Sequence, residues 1–297
     1  MTSFLLRDDT DLQRLRAFFK QLPHGSNMGD FEEQIQLPAV RVTTRLWQRA
    51  DELVACAYVD GGNNLRFEIE AENDSDQLEQ EIVDWGLACM RQRNAQTGNE
   101  STLDACCNAN DVEQLHFFEK FGFVRETIRS LKYSRSLAGP IDEFPFPSGF
   151  SLRSVTGESE VEALVALHRA AFGTDNMTVE ERLAIMRAPQ YVPDLDLVAV
   201  APNGDLSAFC ICGFEEDDEQ IGFTDPLARI QTIRDSAWAK PSSARGCAPS
   251  NPAGQPSQKS ARAVRTSPCK NWPNGWASPA FRKAFGFQKR SRDRYRL

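Results

Sequence analysis

The sequence is poor in the residues that build metal centres. It holds three histidines, His24, His116 and His168, and none of its eight cysteines forms a C-x-x-C pair. A protein zinc site needs about four such ligands at close spacing, so no metal is expected. Long apolar runs are missing too: no stretch approaches the roughly 20 residues of a membrane-spanning helix. The opening Met1-Thr2-Ser3-Phe4-Leu5-Leu6-Arg7-Asp8-Asp9 has no basic segment leading into an apolar one, so no signal peptide is expected. A cytoplasmic location is the resulting expectation. Most of the cysteines sit in apolar stretches, where a reduced thiol acts as a small hydrophobe.

Acids are scarce in one region only. Residues 229–297 hold fifteen Lys and Arg against Asp235 and Asp293, a net of +13, whereas the rest of the chain carries −21. The whole-chain value of −8 therefore describes neither part. Glycine is absent from residues 70–79 and from 229–240. Both absences matter below.

What is present falls into two halves. In the first, Leu12, Leu15, Phe18 and Phe19 mark one face of a helix over residues 9–19. Residues 53–59 and 65–70 read as strands around the turn Gly61-Gly62-Asn63-Asn64. Ser75 caps a helix with Leu78, Ile82, Trp85 and Cys89 on one stripe. A strand near 102–107, a helix over 111–120 and a strand over 127–133 complete the half. Residues 139–149, with three prolines, form a linker. The second half repeats the order: a strand at 150–153, a helix over 158–172, and a helix opened by the capping box Thr178-x-x-Glu181. Strands at 195–201 and 206–214 flank the turn Asn203-Gly204, and a third strand covers 220–227. A repeated order suggests duplication. After Ala228 the Ser- and Pro-rich text has no helical or strand period and reads alone as a basic disordered tail.

Two passages carry a resemblance. Asn110-Asp111-Val112-Glu113-Gln114-Leu115-His116-Phe117-Phe118-Glu119-Lys120-Phe121-Gly122-Phe123 is similar to the C-terminal helix and following Gly-Phe of the GNAT superfamily of N-acyltransferases. Gly222-Phe223-Thr224-Asp225-Pro226-Leu227-Ala228 resembles the central strand of its tandem group related to mycothiol synthase. The resemblance implies an α+β fold: two tandem domains, each a mixed, largely antiparallel sheet flanked by helices, the second truncated or disordered after about residue 228. The implied limits are 1–138, a linker 139–149, 150–228, and a tail 229–297. It also implies transfer of an acyl group, acetyl in the first instance, from acetyl-CoA to a small-molecule or peptide amine.

That chemistry sets requirements. A pyrophosphate is held by backbone N–H groups at a helix N-terminus, with glycines allowing close approach. A base must take the proton of the amine. In the first half the loop position reads Glu70-Ala71-Glu72-Asn73-Asp74-Ser75-Asp76-Gln77-Leu78-Glu79, without glycine and with five acids that repel phosphate. Phe118 stands where the family often has the tyrosine that protonates the departing thiolate. The first half thus reads as a non-catalytic scaffold. In the second half, Phe223, Thr224, Asp225, Pro226 and Leu227 would line the pantetheine. Asp225 is the first candidate for the base and Glu219 the second. Strand alternation puts Glu219, Phe223 and Asp225 on one face and Thr224 on the other. For either acid the plainer reading is a solvated strand-end carboxylate. Glu215-Glu216-Asp217-Asp218-Glu219 reads as a solvated loop whose field attracts a cationic amine.

In the family the central strand continues into His-Pro and an Arg-x-x-Gly-x-Gly loop. Here Arg229 to Lys240 follows instead. Codons exist for that stretch which, read one base earlier, spell Thr/Ala-His-Pro-Asp-Tyr-Pro-Arg-Leu-Gly-Leu-Gly-Lys-Ala. The same shift over residues 264–278 permits a helix ending in Gly-Phe. One base missing near the Ala228 codon is therefore expected. Two other readings compete with the enzyme. A chain without a phosphate loop is a non-catalytic relative. Alternatively the tail binds nucleic acid, with Arg282, Lys283, Lys289, Arg290, Arg292, Arg294 and Arg296 on phosphates and Trp238, Trp272 and Trp276 stacked on bases. The frame shift explains the same residues without selection for charge.

Overall fold

A computed structural model describes residues 1–22, 28–73, 75–131, 133–141, 146–215, 218–230, 263–265 and 277–283. Side chains are not described for 127–131, 215, 218–219, 263–265 and 277–283. Trp238, Trp272, Trp276 and the basic residues from Lys289 onward lie outside the described residues. So do Glu216, Asp217, and all of 231–240 where a phosphate loop would fall.

The first half begins with β1 (Thr2–Leu5) and α1 (Asp9–Gln21). Asp8 accepts from the Asp11 backbone N–H at 3.0 Å and starts α1, whose Leu12, Leu15, Phe18 and Phe19 are buried as their spacing predicts. The short helices α2 (Met28–Gln34) and α3 (Pro38–Arg41) follow, neither expected from the sequence. Strands β2 (Arg45–Arg49), β3 (Glu52–Val59) and β4 (Leu65–Ile69) complete an antiparallel sheet in the order β1-β2-β3-β4. The turn before β4 is organised by Asp60, whose carboxylate accepts from the backbone N–H of Gly62 at 2.9 Å and of Asn64 at 2.8 Å. Ser75 caps α4 (Asp76–Thr97), accepting from Leu78 N–H at 3.3 Å. Next come β5 (Leu103–Cys106), α5 (Val112–Lys120) and β6 (Val124–Leu131), three residues earlier at its start than the sequence indicates.

The second half opens with β7 (Ser151–Ser154), α6 (Val161–Phe172) and α7 (Val179–Arg187). Strands β8 (Asp196–Val200), β9 (Leu206–Glu215) and β10 (Asp218–Arg229) pair antiparallel beside β7. The order β7-β8-β9-β10 repeats β1-β2-β3-β4, and in each half the helical segment enters between the first and second strands. The architecture is α+β, with largely antiparallel sheets flanked by helices.

Two further strands come from the tail. β11 (Ala263–Arg265) pairs parallel with β10, and β12 (Ala277–Lys283) lies between β5 and β6, antiparallel to β5. The chain divides into two compact units. One is 1–26, 39–128 and 279–297; the other is 27–38 and 129–278. The second unit thus includes α2 from the first half of the sequence.

Candidate active site

The second unit gathers polar groups against its own sheet. The Thr178-x-x-Glu181 capping box forms as read: Glu181 N–H donates to Thr178 Oγ1 at 3.1 Å, and Thr178 N–H donates to the Glu181 carboxylate at 2.7 Å. The cap fixes where α7 starts, and one residue further on it places Arg182 inward, 4% exposed. Arg182 Nη2 donates to Asp196 Oδ2, at the start of β8, and Tyr191 Oη donates to the same oxygen at 2.7 Å. Burial pushes the Asp196 carboxyl up while Arg182 and Tyr191 pull it down. Burial, with the Asp196 bond, raises the Tyr191 hydroxyl. Arg182 Nη1 is buried and has no hydrogen-bond partner.

Arg182 lines a small cleft, with room for about one water, together with His168 of α6, Phe209 and Ile211 of β9, and Pro226 of β10. The His168 ring stacks on Phe209 at 5.6 Å between centroids. Burial, and then the charge of Arg182, lowers His168 to about 4, so the imidazole is neutral at neutral pH.

β10 departs from regular pairing where the site residues lie. Thr224 faces Cys212 and Leu227 faces Cys210, so three steps on β10 match two on β9 and one extra residue is bulged. Thr224 is buried. Leu227 lines a second cavity, with Cys210, Ala208 and Leu152, whereas Pro226 lines the cleft under α6 and α7. Phe223 packs over Gly213, where an added Cβ would come within 2.6 Å of the ring. Asp225 lies within electrostatic reach of Glu33. Glu219 is in β10, but its side chain is outside the described residues.

Glu33 is the residue the sequence reading missed. It lies on α2, which packs against α7; Gln190, just beyond α7, donates to Gly29 O at 2.7 Å. Burial, then the carboxylates of Asp30 and Asp225, push half-buried Glu33 up to about 8; Arg182 opposes them and Glu181 adds to them. The carboxylate of Asp225 thus favours the protonated form of Glu33. The signal available was the i, i+4 spacing of Phe31 and Ile35, both buried.

At the start of α4, Asp76 and Glu79 both bind the Lys120 ammonium, which lowers Asp76 and raises Lys120 to about 12. Phe118 is buried among Phe67, Phe117 and Phe123. Burial, then the charge of Asp111, pushes Glu68 on β4 up to about 7. Burial raises the thiols of Cys89 to about 11 and Cys107 to about 12, so neither is a ready nucleophile. Among the described residues no three His, Cys, Asp or Glu side chains gather as metal ligands would, and no helix is long and apolar enough to cross a membrane.

Solved structures match the fold along nearly the whole chain. A GCN5-related N-acetyltransferase from Sphaerobacter thermophilus superposes with a TM-score of 0.60 at 15% identity, covering 95% of each chain. The fold is that of the GCN5-related N-acetyltransferases. A tandem GNAT protein from the clavulanic acid biosynthesis pathway gives 0.59 at 12% identity over 96% of this chain and 98% of its own. A GNAT-family acetyltransferase from Colwellia psychrerythraea gives 0.53 at 13%, over 95% and 99%. At these identities the likeness is one of fold. No protein-family model and no curated protein matches the sequence.

Proposed function

We propose that the chain is a tandem N-acyltransferase with its working site in the second half, taking an acyl group from acetyl-CoA to an amine. The observation that carries this reading is the fold of the GCN5-related N-acetyltransferases, in which a neutral imidazole and a buried guanidinium meet Pro226 of the bulged strand in one cleft. Asp225 is the base that takes the proton of the amine, with Glu219 as the second candidate, and Glu33 joins Asp225 in holding that proton. The backbone from Phe223 to Leu227 is the stretch along which pantetheine would run. The acceptor is a small-molecule or peptide amine, and the cytoplasm is the proposed location.

The first half, 1–138, is a scaffold joined through 139–149 to a working domain beginning at 150. Two features support this: residues 70–79 hold five acids and no glycine, and Phe118 offers no hydroxyl. The pyrophosphate end of acetyl-CoA does not fit the sequence as it stands, because 229–240 has no glycine.

Calorimetry with acetyl-CoA tests the reading, using the present chain beside one whose residues from 229 onward are read in the alternative frame. The expected result is binding at least about 100-fold tighter by the second chain, since several backbone N–H contacts to phosphate depend on the glycines. Tight binding by the present chain would remove the frame argument and leave the acyltransferase. Binding by neither chain would overturn the acyltransferase.

A further inference from the structure

Two thiols meet on β9, the middle strand of the second unit's sheet. Cys210 and Cys212 are two residues apart, so their side chains share one face of the strand. Both are buried and free, and their sulfurs are 3.4 Å apart, with an S–H of one directed at the other. That hydrogen bond lowers the cost of a thiolate on the accepting sulfur. Cys210 also lines the cavity shared with Leu227, Ala208 and Leu152, which has room for about one water. Cα atoms two residues apart on a strand are about 6.6 Å from each other, near the upper limit that a disulfide spans. Closing the sulfurs from 3.4 Å to about 2.05 Å therefore requires β9 to pleat more sharply at Ile211. The neighbouring strand tolerates that change. Thr224 is opposite Cys212 and Leu227 is opposite Cys210, so the bulge on β10 interrupts the ladder that would otherwise hold β9 straight at this point.

We infer that Cys210 and Cys212 are a site of disulfide formation by a small peroxide, hydrogen peroxide in the simplest case. The thiolate of Cys210, at the cavity, attacks one peroxide oxygen. The O–O bond breaks, and the second oxygen leaves as hydroxide and takes up the Cys210 proton to become water. Cys210 is then a sulfenic acid. The Cys212 sulfur attacks it, the S–O bond breaks, and the hydroxyl departs with the Cys212 proton as a second water. The two sulfurs together lose two electrons and the peroxide gains them. A bulky oxidant such as oxidised glutathione does not enter a space of this size. Ile211, between the two cysteines, lines the cleft with His168, Arg182 and Pro226, so the bond also alters a wall of that cleft. The inference goes beyond the acyltransferase reading and does not depend on it.

The test treats the folded full chain with hydrogen peroxide, then denatures it in N-ethylmaleimide and digests it with trypsin. Residues 188–229 form one tryptic peptide that holds Cys210 and Cys212 and no other cysteine. The expected result is loss of both maleimide labels from that peptide, with a mass lower by two hydrogens than the unlabelled dithiol, while Cys56 stays labelled. Oxidised glutathione at the same concentration should leave both labels in place on the folded chain and remove them from the chain unfolded in urea. In Cys212→Ser the reaction should stop at Cys210, whose sulfenic acid dimedone then traps; a melting curve establishes that the variant folds. If it does not fold, the peptide mass of the parent chain alone decides. On oxidation the His168 ring signals should shift in the NMR spectrum, since His168 and Ile211 line one cleft. A peptide that keeps both labels after peroxide would overturn the inference, as would one cross-linked to Cys247 or Cys269. Equal oxidation of the folded chain by glutathione would overturn the part given to the cavity. An unmoved His168 would overturn the link to the cleft.

Discussion

Glu33 illustrates how one side chain takes its properties from neighbours distant in sequence. Its folded pKa of about 8 lies above its ordinary 4.5. For a carboxyl shifted upward, the stabilisation is complete below pH 4.5 and is lost as pH rises through 8. Glu33→Gln should therefore gain stability relative to the parent between pH 5 and pH 9. The expected gain at pH 9 is of order 2 kcal/mol, discounted from the full shift because the group is half-buried. Urea unfolding at pH 5, 7 and 9 measures it; a difference that stays constant across the three would place Glu33 in a different environment. Gly213 makes a second prediction. Gly213→Ala must displace the Phe223 ring, 2.6 Å from the added carbon, at a cost of about 1 kcal/mol. Phe223→Leu should relieve that cost in the double variant, read from denaturant midpoints. Additive effects would mean the ring does not sit over Gly213.

Elements with their own local instructions were legible in advance. The cap at Ser75 and the box at Thr178 are spelled by residues three positions apart, and each forms in the structure. Thr178→Ala should cost about 1 kcal/mol, and Thr178→Ser should restore most of it, in thermal melts of the full chain. If the two variants melt alike, the cap contributes nothing and Arg182 is held by Asp196 alone. Elements without such instructions escaped notice. α2 is seven residues long, and five of them, Gly29, Asp30, Glu32, Glu33 and Gln34, give no apolar stripe. Strand β2 has only Leu46 and Trp47 buried, too short a pattern to read as alternation. Alternation along β10 gave the opposed faces of Phe223 and Thr224. The extra residue between Thr224 and Leu227, which breaks that alternation and turns Pro226 and Leu227 into opposite cavities, has no such local mark.

At the scale of the molecule, the first unit depends on residues from the end of the chain. β12 lies between β5 and β6, with Phe281 opposite Ala105 and Arg282 opposite Asp104. Deleting residues 277–297 leaves β5 and β6 without their shared neighbour, and two open strand edges invite association between chains. The expected outcome is a melting temperature lower by several degrees and concentration-dependent light scattering. Unchanged melting and scattering would mean that the first unit is complete without β12. By itself, the sequence determined the periodic helices, the capped starts, the two hairpins and their repetition, because each depends on residues within a few positions of one another. It also located the strand from Phe223 to Leu227 and the absence of glycine after it. Only the tertiary structure brought Glu33 to Asp225 and Arg182, left Arg182 Nη1 without a partner, and inserted β12 between β5 and β6. Those features come from contacts between segments tens to hundreds of residues apart, for which no short-range pattern in the chain exists.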